Sequence, residues 1–243
     1  MKLACIGTGG YFPNDRRHTA GYFFPEIGVL FDAGTSAYRV LEMRQTDEID
    51  IFLSHAHLDH IVGLTYLLVP IHNRKLTARL HARAEDILAI KLHLMANAIF
   101  PVDIAFEYCE WSGSVDLGPR GKVTSTELKH PGGSLGYRVD WKDKSFAYIT
   151  DTSSLDTYVD FVRGVDLLLH ESYFRDGDEE IAEMTGHSCT SQVTKIAKAA
   201  KVKRLGLIHI DPFKIEDDPV GLDVARQVFP ETFIPEDKQI IEF

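Results

Sequence analysis

The stretch Ser54-His55-Ala56-His57-Leu58-Asp59-His60 follows the apolar run Ile49-Asp50-Ile51-Phe52-Leu53 and precedes Ile61-Val62-Gly63-Leu64. Its four ligand-type side chains, His55, His57, Asp59 and His60, fall within six positions. The short β-type run predicts a strand, and Ile61, Leu64 and Leu68 recur at helical spacing, so the histidines sit where a strand end turns into a helix. In an extended segment residues i and i+2 point the same way, which lets His55 and His57 face one ion while Asp59 and His60, around the turn, face a second. Imidazole nitrogen and carboxylate oxygen suit zinc, iron or manganese, and two such ions held close together form a hydrolytic centre. The plainer alternative is a polar surface loop with tandem histidines.

The pattern H-x-H-x-D-H resembles the signature of the metallo-β-lactamase superfamily. The resemblance implies an α/β fold, a four-layer αββα sandwich, with two metals at one edge of the paired sheets. The run Val29-Leu30-Phe31 followed by Asp32-Ala33-Gly34-Thr35 is similar to the element that precedes the motif in that superfamily, where the Asp supports the metal loops from outside. A turn or helix cap is the other reading of Asp32.

Length and composition fit this frame. A chain of 243 residues suits a single hydrolase domain over residues 1–243, and 44% hydrophobic with 26% charged residues predicts a folded, soluble protein. The net charge of −10 argues against general nucleic-acid binding, which needs an excess of Lys and Arg. The N-terminus reaches Gly7-Thr8-Gly9-Gly10 before a signal core could form, and no apolar run approaches ~20 residues, so a cytoplasmic protein with no membrane association is expected. Cys5, Cys109 and Cys189 form neither a disulfide framework nor a zinc ribbon pattern. Among the helices, one is expected to close at Pro70 and an amphipathic one to run from Ala84 to Ala98. His72, His81 and His93 read as surface or satisfied histidines.

Three more ligand candidates stand at the ends of apolar runs: His130 before Pro131-Gly132-Gly133, Asp151 after Phe146-Ala147-Tyr148-Ile149-Thr150, and His209 after Leu205-Gly206-Leu207-Ile208. Singly they also read as a loop histidine, a cap and a core histidine. Strand ends on one rim can converge on one site. With the superfamily as guide, His55, His57 and His130 hold one ion and Asp59, His60 and His209 the other, with Asp151 bridging. No ligand is a cysteine, so the expected cofactors are two divalent ions, zinc first, with manganese or iron as alternatives.

Two further elements narrow the resemblance. Val165-Asp166-Leu167-Leu168-Leu169-His170-Glu171 and Thr185-Gly186-His187-Ser188, with the segments around Asp151 and His209, look like the second half of ribonuclease Z and its relatives. In that family the corresponding Glu and His form a proton-relay pair, which falls here on Glu171 and His187; surface carboxylate and helix-flank roles are the alternatives. His170 reads as a supporting or a structural residue. The implied activity is phosphodiester hydrolysis by a metal-bridging hydroxide, with Asp59 orienting it or taking its proton. Other readings are a lactonase or arylsulfatase on the same site, and a noncatalytic or redox di-iron protein.

Two departures bear on substrate. The long Gly/Pro-rich arm that grips tRNA in ribonuclease Z is replaced by Val139 to Ala147, enough only for a hairpin, and Ile210-Asp211-Pro212-Phe213 stands where that family usually places an S-x-R-Y segment. The expected partner is a small phosphodiester or ester substrate, and a homodimer is one arrangement open to the chain.

Overall fold

A computed structural model describes every residue except Lys75, Asp103 and Leu155. Its strands are β1 (Lys2–Gly7), β2 (Gly21–Phe24), β3 (Val29–Phe31), β4 (Glu48–Phe52), β5 (Thr77–Ala82), β6 (Phe106–Glu110), β7 (Ser114–Asp116), β8 (Lys122–Leu128), β9 (Ser134–Asp140), β10 (Ser145–Ile149), β11 (Leu167–Glu171), β12 (Leu205–Ile208), β13 (Thr232–Phe233) and β14 (Gln239–Glu242). The chain divides into two compact units, residues 1–112 with 236–242, and residues 113–235 with Phe243.

The first unit contains a seven-stranded sheet in the order β14-β1-β2-β3-β4-β5-β6. Its pairs are antiparallel from β14 to β3 and parallel from β3 to β6. Parallel pairing of β3 with β4, in the register Phe31 opposite Phe52, brings the residues after both strands to one rim. Alternate side chains build the two faces. Ile49, Ile51 and Leu53 join one buried cluster with Leu30, Ala78 and Leu80, while Phe31, Phe52 and His81 stack on the other face with centroids 5.7 and 4.4 Å apart.

The second unit repeats the scheme with other residues. Its sheet runs β13-β12-β11-β10-β9-β8-β7, parallel from β13 to β10 and antiparallel from β10 to β7. β8, β10, β11 and β12 therefore all point the same way, and their C-terminal ends share a rim. Ala147, Ile149 and Leu168 pack with the helix Thr190–Ala200 through Val193, Ile196, Ala197 and Ala200, one face of a 3.6-residue repeat. Burying Val193 and Ile196 contributes about 1.5–3 kcal/mol each. That helix starts in a capping box, in which the Gln192 side chain accepts from the Cys189 backbone N–H at 2.9 Å.

Two helix expectations need correction. Pro70 does not close a helix. It is the third residue of Leu68–Arg74, in the first α-helical turn after a 3₁₀ segment over Val62–Leu67, where a missing N–H is tolerated. The segment from Ala84 is α-helical only to Ala89, then widens into a π-helical turn over Ile90–Leu94, with the Met95 N–H donating to the Ile90 carbonyl at 2.9 Å. Leu88 and Leu92 are exposed. No helix among the described residues is long and apolar enough to cross a membrane.

Candidate metal and catalytic centre

In the first unit, His55, His57, Asp59 and His60 follow β4, and Asp59 and His60 lie in the short helix Leu58–Ile61. The His55 ring stands 4.3 Å from that of His57 and 4.4 Å from that of His60, centroid to centroid. The Asp59 carboxylate lies 3.2 Å from His60 Nε2 and accepts the Tyr11 N–H at 3.0 Å.

Asp32 supports this group from behind. It is fully buried, in a left-handed backbone at φ 55°, and accepts from the Ser54 N–H at 2.7 Å, the Ser54 hydroxyl at 2.8 Å and the His60 Nδ1–H at 2.8 Å. Since Ser54 Oγ spends its proton on Asp32, it accepts from His55 Nδ1–H at 3.0 Å. Both imidazoles are thereby held in the tautomer that turns an Nε2 lone pair outward, the outer-shell arrangement of metal-ligating histidines. Asp32 thus has the supporting position that the resemblance implied. The loop after it packs tightly on the motif: the Gly63 N–H donates to the Ala33 carbonyl at 2.8 Å, and a Cβ on Gly63 would meet the Gly34 carbonyl oxygen at 2.0 Å.

In the second unit, His130, Asp151 and His209 follow the ends of β8, β10 and β12, and Glu171 is the last residue of β11. Asp151 Oδ1 faces His209 Nε2 at 3.3 Å and Asp151 Oδ2 faces His130 Nε2 at 3.6 Å, so its two oxygens address different histidines. Asp151 and His209 both adopt left-handed backbones, at φ 35° and 56°. Such conformations are disfavoured for residues with a Cβ and gather at functional sites. The His130 Nδ1–H donates to the Gly186 carbonyl at 2.9 Å, again leaving Nε2 as the lone-pair nitrogen. Gly186 is needed there: its φ is 75°, and a Cβ would lie 2.5 Å from Pro131 Cδ and 3.0 Å from His130 Nδ1.

Glu171 and His187 do pair, with the His187 Nδ1–H donating to Glu171 Oε1 at 3.0 Å. Glu171 is fully buried and also accepts the Thr152 N–H at 3.0 Å on Oε1 and the Tyr173 N–H at 3.1 Å on Oε2. Burial alone would raise its carboxyl pKa, but the charge and hydrogen bond of His187 outweigh that and hold it below the usual value. The His187 ring stacks with Tyr173 at 5.0 Å and with His209 at 5.5 Å. Ligand atoms of Asp151, His187 and His209 all lie within 4.8 Å of one another, so His187 is in coordinating reach as well as hydrogen-bonded to Glu171.

His170 is structural. It is fully buried, donates from Nδ1 to the Glu171 carbonyl at 2.7 Å and accepts the Tyr158 hydroxyl on Nε2 at 2.9 Å; burial lowers its pKa, which suits this neutral tautomer. His81 is a satisfied histidine on Asp50 at 2.8 Å, and His72 and His93 are exposed. The sequence reading did not assign roles to Ser54, Gly186 or Tyr173. The first two lie beside residues it had singled out, and Tyr173 follows Glu171 by two positions.

A family described as "Beta-lactamase superfamily domain" matches residues 28–210. A ribonuclease Z of Metallosphaera sedula is 28% identical to the chain over 288 residues, covering 98% of this chain and 97% of the relative. That alignment is longer than the 243 residues here, so the relative carries segments this chain lacks. Among solved structures, the metallo-beta-lactamase fold protein YhfI from Bacillus subtilis matches with TM-score 0.83 at 23% identity, covering 100% of this chain and 99% of the other. Human tRNase Z, short form, matches with TM-score 0.78 at 24% identity, with the same coverage. At these identities the two structures show the fold: the metallo-β-lactamase fold with two mixed sheets.

Proposed function

The chain belongs to the beta-lactamase superfamily of hydrolases, and from that premise we propose that it is a phosphodiesterase of the ribonuclease Z type that acts on small phosphodiesters. The ligand sets would hold divalent ions, zinc first: His55, His57 and His130 would serve one, Asp59, His60 and His209 a second, and Asp151 would serve both. The donor chemistry fits such ions. All the donors are imidazoles or carboxylates, and His55, His60 and His130 present Nε2 because their Nδ1 protons are committed elsewhere. When bound, divalent ions supply a hydroxide nucleophile near neutral pH and neutralise phosphate charge.

The chain's own groups do the rest. Asp59, oriented by the Tyr11 N–H, accepts the proton of the attacking water. His187, with Nδ1 held by Glu171, presents Nε2 to the departing oxygen and protonates it. The pairing of His187 with a buried, triply bonded Glu171 carries the phosphodiesterase reading, since an ester hydrolase built on the metal ligands alone does not need it.

Small substrates are favoured by the link between β9 and β10. These strands form a hairpin joined by residues 141–144, closed by the Trp141 N–H donating to the Lys144 carbonyl at 2.9 Å. A tRNA needs basic surface away from the cut to position it, and the chain has a net charge of −10 and no arm at this point. The test is a panel of bis(p-nitrophenyl) phosphate, p-nitrophenyl sulfate, lactones and a precursor tRNA given to one zinc-loaded preparation. Turnover of the diester well above the other substrates is expected. Lactone or sulfate hydrolysis as the dominant activity would transfer the assignment to those esters, and 3′ cleavage of precursor tRNA at physiological salt would restore the ribonuclease.

A further inference from the structure

The Tyr11 backbone orients Asp59, but its ring has no part in the machinery above. The residue has a left-handed backbone at φ 60°, is 69% exposed, and uses its N–H to hold Asp59. A non-glycine residue with φ above zero is uncommon, and a large aromatic one there needs a structure that enforces it. The enforcing structure is the loop over residues 8–19. The Gly9 N–H donates to the His18 carbonyl at 2.9 Å and the Asn14 N–H to the Arg17 carbonyl at 2.9 Å, while the Asn14 side chain accepts from the N–H groups of Arg16 and Arg17 at 2.9 and 2.7 Å. Buried Arg17 ties the base, donating to Thr8 Oγ1 at 2.5 Å and to Glu236 at 2.9 Å. The Phe12 ring meets the Tyr11 ring edge-on at 5.5 Å. The loop that carries the exposed Tyr11 ring is therefore closed by hydrogen bonds before and after it.

We propose that the Tyr11 ring is a stacking platform for a flat aromatic group, such as a nucleobase, next to the scissile phosphate. The inference rests on the phosphodiesterase reading and deepens it by naming the substrate class. Geometry supports it in two ways. The ring belongs to the residue whose N–H donates to Asp59, which places Tyr11 next to the group proposed to act on the scissile phosphate. The fixed backbone and the Phe12 contact orient the ring before substrate arrives, so little order is lost on stacking. Base stacking on an aromatic side chain strengthens binding by about tenfold or more and tolerates any base.

The experiment measures equilibrium binding of AMP and of ribose 5-phosphate, which differ by the base, to zinc-loaded protein by calorimetry. Wild type is expected to prefer AMP by about tenfold. Tyr11→Gly suits the positive φ and should fold as well as wild type while its preference falls to about one. Tyr11→Phe keeps the ring and should keep the preference. An equal affinity for the two phosphates in wild type, binding of neither, an undiminished preference in Tyr11→Gly, or its loss in Tyr11→Phe would each overturn the inference. Binding does not require turnover. A preference that depends on Tyr11 in a protein that cleaves no phosphodiester would defeat the phosphodiesterase reading and leave the platform standing.

Discussion

The two units bring functional side chains to strand ends by opposite means. In the first unit the ligand-type residues are consecutive: His55 to His60 follow one strand, and a single buried carboxylate, Asp32, sets the tautomers of His55 and His60, the former through Ser54. In the second unit His130, Asp151, Glu171 and His209 each end or follow a different strand, and three of those strands are parallel neighbours. A contiguous motif is positioned by local turns and one support. A gathered set is positioned by sheet register, and it lets one carboxylate, Asp151, offer an oxygen to each of two histidines. The gathered set is therefore where a single substitution should do most damage, because under the proposed function Asp151 would serve both ions.

The largest expected effect tests that asymmetry. Asp151→Ala should abolish turnover and lose both ions or leave one weakly held, whereas His57→Ala should weaken chiefly one; titrating each variant with zinc by calorimetry distinguishes them, and equal single-site losses would erase the proposed distinction. Asp59→Asn comes next, since it keeps the shape and one oxygen but loses the charge and the proton acceptor. Its turnover should fall by about a thousandfold with the ions retained. Near-normal turnover in a metal-loaded Asn variant would remove Asp59 from the chemistry.

His187→Ala and Glu171→Ala should each lower phosphodiester turnover by about a hundredfold, with the double variant little worse than either, because residues that act as one relay are not additive. Metal content decides between relay and ligand for His187: an ion lost along with the ring would make it a ligand. Asp32→Ala probes the contiguous half. It should weaken metal binding by about 10- to 100-fold through freed His55 and His60 rings. An unchanged zinc affinity would show that the motif positions itself.

The smallest effect lies at the opposite ends of the strands. Asp166 precedes β11, accepts the Ser145 N–H at 2.8 Å and pairs with Lys203 at 2.7 Å. Burial pushes its pKa up, but the Lys203 and Ser145 hydrogen bonds prevail and the carboxyl sits below its ordinary value. A depressed folded-state pKa stabilises the fold above the unfolded value, about 3.9, and this contribution is lost as pH falls through the folded value. Asp166→Asn should cost on the order of 1 kcal/mol at pH 7, and the gap should narrow below about pH 4 in denaturant melts. A gap that widens in acid would reverse the sign assigned to this group.

What the sequence disclosed follows the same division. The contiguous motif was readable because spacing within one strand-loop-helix segment determines which side chains can meet. The gathered residues were readable only as candidates at the ends of apolar runs, and their resemblance to a family supplied the grouping. The register Ile149 opposite His170 and Glu171 opposite Ile208 provides the physical reason the second-unit residues assemble. Backbone-borne features stayed hidden. The left-handed conformations of Asp32, Asp151 and His209, and the Gly186 carbonyl that orients His130, depend on contacts far along the chain. Pro70 misled because proline stops a helix interior yet is tolerated in its first turn, and residue order does not reveal which of the two positions it holds.

Under the proposed function both ligand sets, contiguous and gathered, would serve one pair of ions. Elemental analysis of protein purified without exposure to chelator tests this directly. About two transition-metal ions per chain are expected, zinc foremost, falling to one or none in Asp151→Ala. One ion per chain in the wild-type protein, unchanged by Asp151→Ala, would contradict it.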